Sequence, residues 1–138
     1  MNKLLYGIWL TLLASGITLA DDVKSIEVDV LVKTTTSWDG SEFPEYEKGR
    51  PEVTILKVTI QPGAEFPLHK HPVINAGVIM KGELTVKTQD NKKVTLKAGD
   101  AAAELVNKWH YGKNEGNETV ELIVFYAGIK GMPLTIKK

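Results

Sequence analysis

The sequence predicts an all-β domain, built as an antiparallel sandwich or barrel. Short apolar segments recur along the chain, and glycine, proline, aspartate and asparagine separate them. Beyond residue 20, no window shows the 3.6-residue apolar period that is typical of an amphipathic helix. The 138 residues suffice for one domain and hardly for two. Several short strands separated by turn signals favour a sandwich or barrel over a mixed fold.

The N-terminus has the layout of a secretory signal peptide. Lys3 precedes an apolar run over residues 4–14, and residues 18–20 offer small side chains at a cleavage site. The alternative is a membrane anchor, but the run is interrupted before it reaches the about 20 apolar residues of a full span. We therefore expect removal of residues 1–20, a single domain over residues 21–138, and a periplasmic or secreted protein with no membrane attachment.

Composition excludes several classes of function. Basic and acidic residues balance at 17 each, so nothing recruits nucleic acid or an anionic membrane. The chain has no cysteine, which excludes disulfides, thiol catalysis and thiolate metal sites. Arg50 is the only arginine, so a planar clamp for carboxylate or phosphate is nearly unavailable.

The first predicted strands flank a long polar connection. Residues 26–32 alternate between apolar and mostly acidic side chains, as a half-buried strand would. Residues 34–51 are polar and contain a turn at Asp39-Gly40. Residues 52–60 form the second predicted strand, which the pair Pro62-Gly63 ends.

The remaining predicted elements follow from the same signals. A strand that is apolar on both faces is typical of a central position in a sheet. In chain order they are a strand at 75–80 ending at the Lys81-Gly82 turn, a hairpin of 83–88 and 93–98 around loop 89–92, a segment at 98–106, a connection at 108–114, a central strand at 118–128 and a closing edge strand within 129–138.

Two of the chain's three histidines, His69 and His71, lie one residue apart. In a strand, residues i and i+2 point to the same face with Cα atoms roughly 6.5–7 Å apart, so two imidazoles can converge on one ion. His110 is the third histidine and the remaining candidate ligand. Surface histidines also occur in such pairs, so the spacing alone leaves both interpretations open.

The surroundings of the histidines resemble the two motifs of the cupin superfamily. The resemblance covers roughly residues 53–128, and the glycines of both motifs are expected at strand ends in tight turns. The first motif is matched by Gly63, His69, His71 and Gly82, with Asn75 where most metal-binding cupins carry glutamate; the second is matched by Gly99, His110 and Asn114, with Leu105 and Asn107 replacing its proline and glycine.

This resemblance implies an antiparallel cupin-like β-barrel, the double-stranded β-helix or jelly roll. It also implies one divalent metal ion. The candidates are Fe, Zn, Mn, Ni and Cu, which all accept imidazole ligands. The implied ligands are His69, His71 and His110, with Asn75 beside them. A small-molecule ligand and a homodimer are the partners that the resemblance implies.

The asparagine leaves three accounts of the site open. In the first, three histidines hold an ion with open positions, and Asn75 is a weak ligand or a hydrogen-bond partner. In the second, a carboxylate from elsewhere completes the set, and Glu65 and Glu104 are the candidates. In the third, no metal binds and the histidines are polar lining or a proton-transfer group.

The sequence therefore predicts an exported small cupin with a mononuclear metal site. The leading hypothesis is a metalloenzyme of oxygenase or lyase type that acts on a small oxygen-rich molecule. The alternative is a non-catalytic periplasmic module that binds a small ligand or a metal. No nucleophile or general base stands out, so no catalytic residue is predicted.

Overall fold

The computed structural model describes residues 26–138, and over that range the chain is all-β with no helix, as predicted. The predicted signal peptide at 1–20 lies outside the described residues. None of the described elements is a helix that could cross a membrane. The nine strands are β1 (Pro51–Ile60), β2 (His69–Lys70), β3 (Ile74–Lys81), β4 (Glu83–Thr88), β5 (Lys93–Lys97), β6 (Ala101–Ala103), β7 (His110–Lys113), β8 (Val120–Ile129) and β9 (Ile136–Lys137).

The strands form two antiparallel sheets that face each other. One sheet has the order β1-β8-β3-β6 and the other the order β5-β4-β7-β2-β9. β8 lies between β1 and β3, which confirms the central position predicted from its two apolar faces. β9 lies at the edge of the second sheet, as the tail was expected to do.

The core lies between the two inner faces. Alternate residues of facing strands point inward, so their apolar side chains leave water together. The larger buried cluster consists of Ile60, Ile79, Leu84, Val86 and Val120, and the smaller one of Val73, Val124 and Tyr126.

Two turn positions show how the motifs shape the backbone. Gly82 has φ of +76°, in the left-handed region that glycine enters without steric cost. Asn107, which replaces the glycine of the second motif, has φ of +56°. Asparagine is among the non-glycine residues that tolerate this conformation best, which explains how the substitution preserves the turn.

The predicted strand at 26–32 is wrong. This segment pairs with no strand within residues 26–138, and Ile26, Val28 and Val30 are 91%, 83% and 74% exposed. Alternation favours a strand only where a neighbouring strand supplies a hydrogen-bonding partner, and none of the described strands does so here.

The predicted connection at 108–114 is also wrong, because it contains β7. β7 pairs with β4 on one side and with β2 on the other. Its sequence, HYGK, lacks a run of apolar or β-branched residues, and its conformation depends on the two strands that flank it.

Candidate metal centre

One row of the site runs across the second sheet. The register of β2 and β7 places His69 directly opposite His110, and Lys137 of β9 lies opposite His69 on the other side. Directly opposed residues of antiparallel strands point to the same face, so the two imidazoles are neighbours. His71 lies directly after β2 and forms an isolated parallel β-bridge with Val106. The three imidazole centroids lie 4.6–5.1 Å apart, so the structure brings together the three histidines that the sequence singles out.

The opposite row crosses the first sheet. Asn75 of β3 lies opposite Tyr126 of β8, and the backbone nitrogen of Glu104 donates to the carbonyl oxygen of Asn75 at 2.9 Å. Glu104, Asn75 and Tyr126 therefore form a row that continues from β6 through β3 to β8. All three line the same cavity as the histidines.

Each histidine is oriented by a backbone carbonyl. The Nδ1 atoms of His69, His71 and His110 lie 2.7, 2.8 and 2.8 Å from the carbonyl oxygens of residues 67, 134 and 108. A carbonyl only accepts, so each Nδ1 carries the hydrogen and donates it. In the neutral ring, the lone pair is then on Nε2, where a metal can bind it.

The residues present fit a divalent metal ion. One ligand nitrogen from each of the three histidines lies within 4.8 Å of the other two. Nε2 of His110 is buried and has no aligned hydrogen-bond partner. A histidine that binds a metal through one ring nitrogen usually donates the N–H of the other ring nitrogen to an acceptor such as a backbone carbonyl. A buried polar atom without a partner needs an explanation, and an ion bound at the cluster supplies one.

Asn75 is nearly fully buried, with 1% of its surface exposed. Its Nδ2 donates to the carbonyl oxygen of Val73 at a long 3.4 Å, and its Oδ1 has no partner. The amide oxygen is therefore a free acceptor in the wall of the site. Its role as a ligand stays a prediction.

The two candidate carboxylates behave differently. Glu65 is 46% exposed in its side chain and pairs with Lys113 at 3.2 Å, outside the cavity. Glu104 lines the cavity, and its Oε2 lies 3.1 Å from Nε2 of His110. Its Oε1 accepts a hydrogen bond of 2.9 Å from the indole nitrogen of Trp38. The structure thus brings Glu104 to the histidines and leaves Glu65 at the surface.

The electrostatics of the cluster follow from burial and from Glu104. Burial lowers the pKa of His69 and lowers that of His71 to about 4, so both rings are neutral at pH 7. Burial also acts to lower the pKa of His110, but the adjacent Glu104 carboxylate raises it above its ordinary value. Burial acts to raise the pKa of Glu104, and His110 together with Trp38 holds it below its ordinary value.

The cavity has a volume of about 360 Å³, a size suited to a small molecule. Most of its wall is apolar, contributed by inward-facing residues of both sheets such as Val58, Ile79 and Leu122. The polar groups converge on one part of the wall, and Lys137 adds a cationic side chain beside His69. An apolar chamber with a few convergent polar groups is the usual form of a small-ligand site.

Sequence reasoning assigns no site role to two contributors, since core packing is the simpler interpretation of Trp38 and Tyr126 is too generic a candidate. Trp38 lies in the polar connection and positions Glu104 through its indole N–H. Tyr126 lies opposite Asn75, and burial followed by the Glu104 charge raises its pKa to about 12. Because side chains alternate along a strand, the register of β8 against β3 determines that Tyr126 points inward. The sequence contains no signal for that register.

Comparisons with known proteins agree with this architecture. The family model of the cupin domain matches residues 56–126, just over half of the chain. A search among curated proteins finds no match.

Among solved structures, an oxalate oxidase in complex with the substrate analogue glycolate is 26% identical. The similarity covers 61% of this chain and 45% of the oxidase, with a TM-score of 0.53. A DMSP lyase from Ruegeria pomeroyi is 17% identical over 62% of this chain and 43% of the lyase, with a TM-score of 0.55. A cupin-like protein from Thermotoga maritima is 19% identical over 62% of this chain and 64% of that chain, with a TM-score of 0.56.

The chain thus matches less than half the length of the oxidase and of the lyase. The two more distant similarities show the fold alone, and they confirm the predicted barrel.

Proposed function

Since this chain belongs to the cupin domain family, we propose that it binds one divalent metal ion through His69, His71 and His110 and acts as a metalloenzyme of oxygenase or lyase type. The observation that supports this most is the shared orientation of the three imidazoles. Each donates Nδ1–H to a carbonyl and has its Nε2 free for the ion.

The proposed substrate is a small oxygen-rich molecule such as a small carboxylate. A bound divalent ion would supply Lewis-acid chemistry or a site for O2. The cavity holds a small molecule, and Lys137 offers a cation to an anionic one. The similarity to an oxalate oxidase, at 26% identity, supports the same substrate class.

The protein's own residues would orient this substrate and limit water. The apolar walls exclude solvent from most of the chamber. The Oδ1 atom of Asn75 accepts a hydrogen bond from a substrate hydroxyl or acid group. Because the pKa of Tyr126 is raised to about 12, its hydroxyl is protonated at neutral pH and can donate to a substrate oxygen.

The alternative function is a non-catalytic periplasmic module that binds a small ligand or a metal. One observation favours it. Among residues 26–138, Glu104 is the only carboxylate that lines this cavity. It already contacts both Trp38 and His110 and so is poorly placed to act as a general base.

Elemental analysis of untagged protein, paired with O2-uptake assays, distinguishes these functions. We expect one metal ion per chain, with O2 uptake on oxalate or another small carboxylate if the protein is an oxygenase. Product release from a small carboxylate without O2 uptake would indicate a lyase. Bound metal without turnover would favour the binding module, and protein without metal would contradict the proposal.

Export and self-association are separate parts of the proposal. Export is supported by the pattern of residues 1–20, and mature protein from the native host is then expected to begin at Asp21. Intact Met1 on a cytoplasmic pool, found by mass spectrometry, would overturn it. The homodimer stays a prediction, which sedimentation of the purified protein checks.

A further inference from the structure

We infer that Glu104 is the fourth ligand of the metal ion and replaces, from the neighbouring strand, the carboxylate that is absent at Asn75. The inference rests on the proposed metal site and deepens it. It selects the second of the three accounts that the sequence leaves open, with Glu104 rather than Glu65.

Strand register places Glu104 where a substitute must lie. Ala76 of β3 pairs with Ala103 of β6, and the next residues in this register are Asn75 and Glu104. The hydrogen bond from the Glu104 nitrogen to the Asn75 carbonyl continues that ladder. Opposed residues of an antiparallel pair have Cβ atoms about 4.5–5.5 Å apart on the same face. A carboxylate at residue 104 therefore serves the same part of the cavity wall as one at residue 75.

The carboxylate is also aimed at the cluster. Its Oε2 lies 3.1 Å from Nε2 of His110, while Trp38 holds its Oε1 at 2.9 Å. Two atoms that bind one ion at about 2.0–2.2 Å lie about 3–3.5 Å apart for octahedral to tetrahedral angles, and the observed 3.1 Å falls in this range.

The facing atoms favour a positive species between them, which is either a proton on Nε2 or a bound metal ion. Nδ1 of His110 donates to the carbonyl of Lys108, so Nε2 of the neutral ring has a lone pair that faces a carboxylate oxygen. Two acceptors at this distance repel each other unless a positive species lies between them. A metal ion that both atoms bind removes the repulsion, and it also satisfies the Nε2 atom that has no aligned partner.

The test compares Glu104→Gln with Glu65→Gln in metal titrations. Glutamine keeps an oxygen that can accept from Trp38 but lacks the negative charge, and Glu65→Gln removes the same charge outside the cavity. The dissociation constants of Mn²⁺ and of Zn²⁺ are measured for the purified proteins by competition with a chelator. Since loss of a carboxylate that only supports a ligand already costs 10–100-fold in affinity, we expect at least about a tenfold loss for Glu104→Gln.

The choice of ion gives a readout that a purely structural role would not change. Carboxylates suit Mn²⁺ better than imidazoles do, whereas imidazoles suit Zn²⁺. Glu104→Gln should therefore weaken Mn²⁺ binding more than Zn²⁺ binding. Thermal melts without metal verify that the variant is folded.

A second variant tests whether a carboxylate in this part of the wall, at either residue, sets the metal affinity. In Asn75→Glu/Glu104→Gln, the carboxylate moves across the strand pair, and metal affinity should return to near that of the original protein. If Glu104→Gln binds both ions as tightly as Glu65→Gln does, Glu104 is not a ligand, while the three-histidine site stands. If the unmodified protein binds neither ion, both the inference and the metal site fail.

Discussion

At the scale of single residues, the candidate centre depends on which nitrogen of each histidine faces the cavity. Three backbone carbonyls settle this, because each fixes the hydrogen on Nδ1. The carbonyl that orients His71 belongs to Leu134, far along the chain. The sequence predicts the three ligands from their spacing and from the motif resemblance, but it contains no signal for this long-range contact. Glu104 is a similar case, because its position depends on strand register and on Trp38.

Replacing His110 with alanine should remove most of the bound metal and leave the fold intact. The side chain lines a cavity, so its loss enlarges an existing space instead of opening a void in the packed core. Elemental analysis reports the metal content, and the melting temperature without metal reports the fold. Full metal retention in His110→Ala would show that His110 is not a ligand.

Tyr126 should ionise only at high pH. Burial and the Glu104 charge raise its pKa to about 12, above the ordinary value of 10.0. Because the folded-state pKa is the higher one, the contribution to stability is complete below pH 10.0 and is lost as the pH rises towards about 12. Tyrosinate absorbance should include one component with a pKa of about 12, and Tyr126→Phe should remove that component. An unchanged titration in Tyr126→Phe would contradict the assignment of that component to Tyr126.

At the scale of elements, short strands and their ends position the site. β2 and β6 contain two and three residues, and the histidines and Glu104 lie in or directly beside such short strands. The long apolar strands β1 and β8 and the β4–β5 hairpin could be predicted, because alternation and turn residues mark them in the sequence. β7 could not be predicted, because its conformation depends on the strands that flank it. Residues 26–32 show the reverse error, since an alternating sequence without a partner strand forms no strand.

The turn around Trp38 should lose stability when Asp39 is replaced with alanine. Asp39 is fully buried in its side chain, pairs with Lys108 at 2.5 Å and accepts from the backbone nitrogen of Ser41 at 2.9 Å. Loss of hydrogen bonds to a charged group costs about 1.5–3 kcal/mol in the free energy of unfolding. Chemical denaturation measures this, with exposed Glu47→Ala as the control. Equal stability of the two variants would contradict the anchoring role of Asp39.

Two turns, at Gly82 after β3 and at Gly99 after β5, offer a matched pair of glycine substitutions. At both Gly82 and Gly99, alanine would be strained, because φ is +76° and +92°. A Cβ at Gly82 would also lie 2.9 Å from the carbonyl oxygen of Thr119, whereas a Cβ at Gly99 meets open space. Gly99→Ala should cost about 1–2 kcal/mol and Gly82→Ala clearly more. Equal costs, measured by chemical denaturation, would contradict the tight packing described for Gly82.

At the scale of the whole molecule, the two sheets enclose a chamber whose polar groups come from both. His69 and His110 belong to one sheet, and Asn75 and Glu104 lie on the other. Metal binding would therefore link the two halves of the barrel. Local sequence signals predict the halves, and the motif resemblance predicts that they meet at a metal. Which apolar residues form the rest of the cavity wall becomes clear only when both sheets are assembled.

The most direct test of this account is a crystal structure of the metal-loaded protein, with anomalous diffraction measured at the absorption edge of the bound metal. We expect a single anomalous peak at about 2.0–2.2 Å from the Nε2 atoms of His69, His71 and His110. No peak at the three histidines, or a metal bound through Nδ1 with the carbonyl contacts broken, would contradict it.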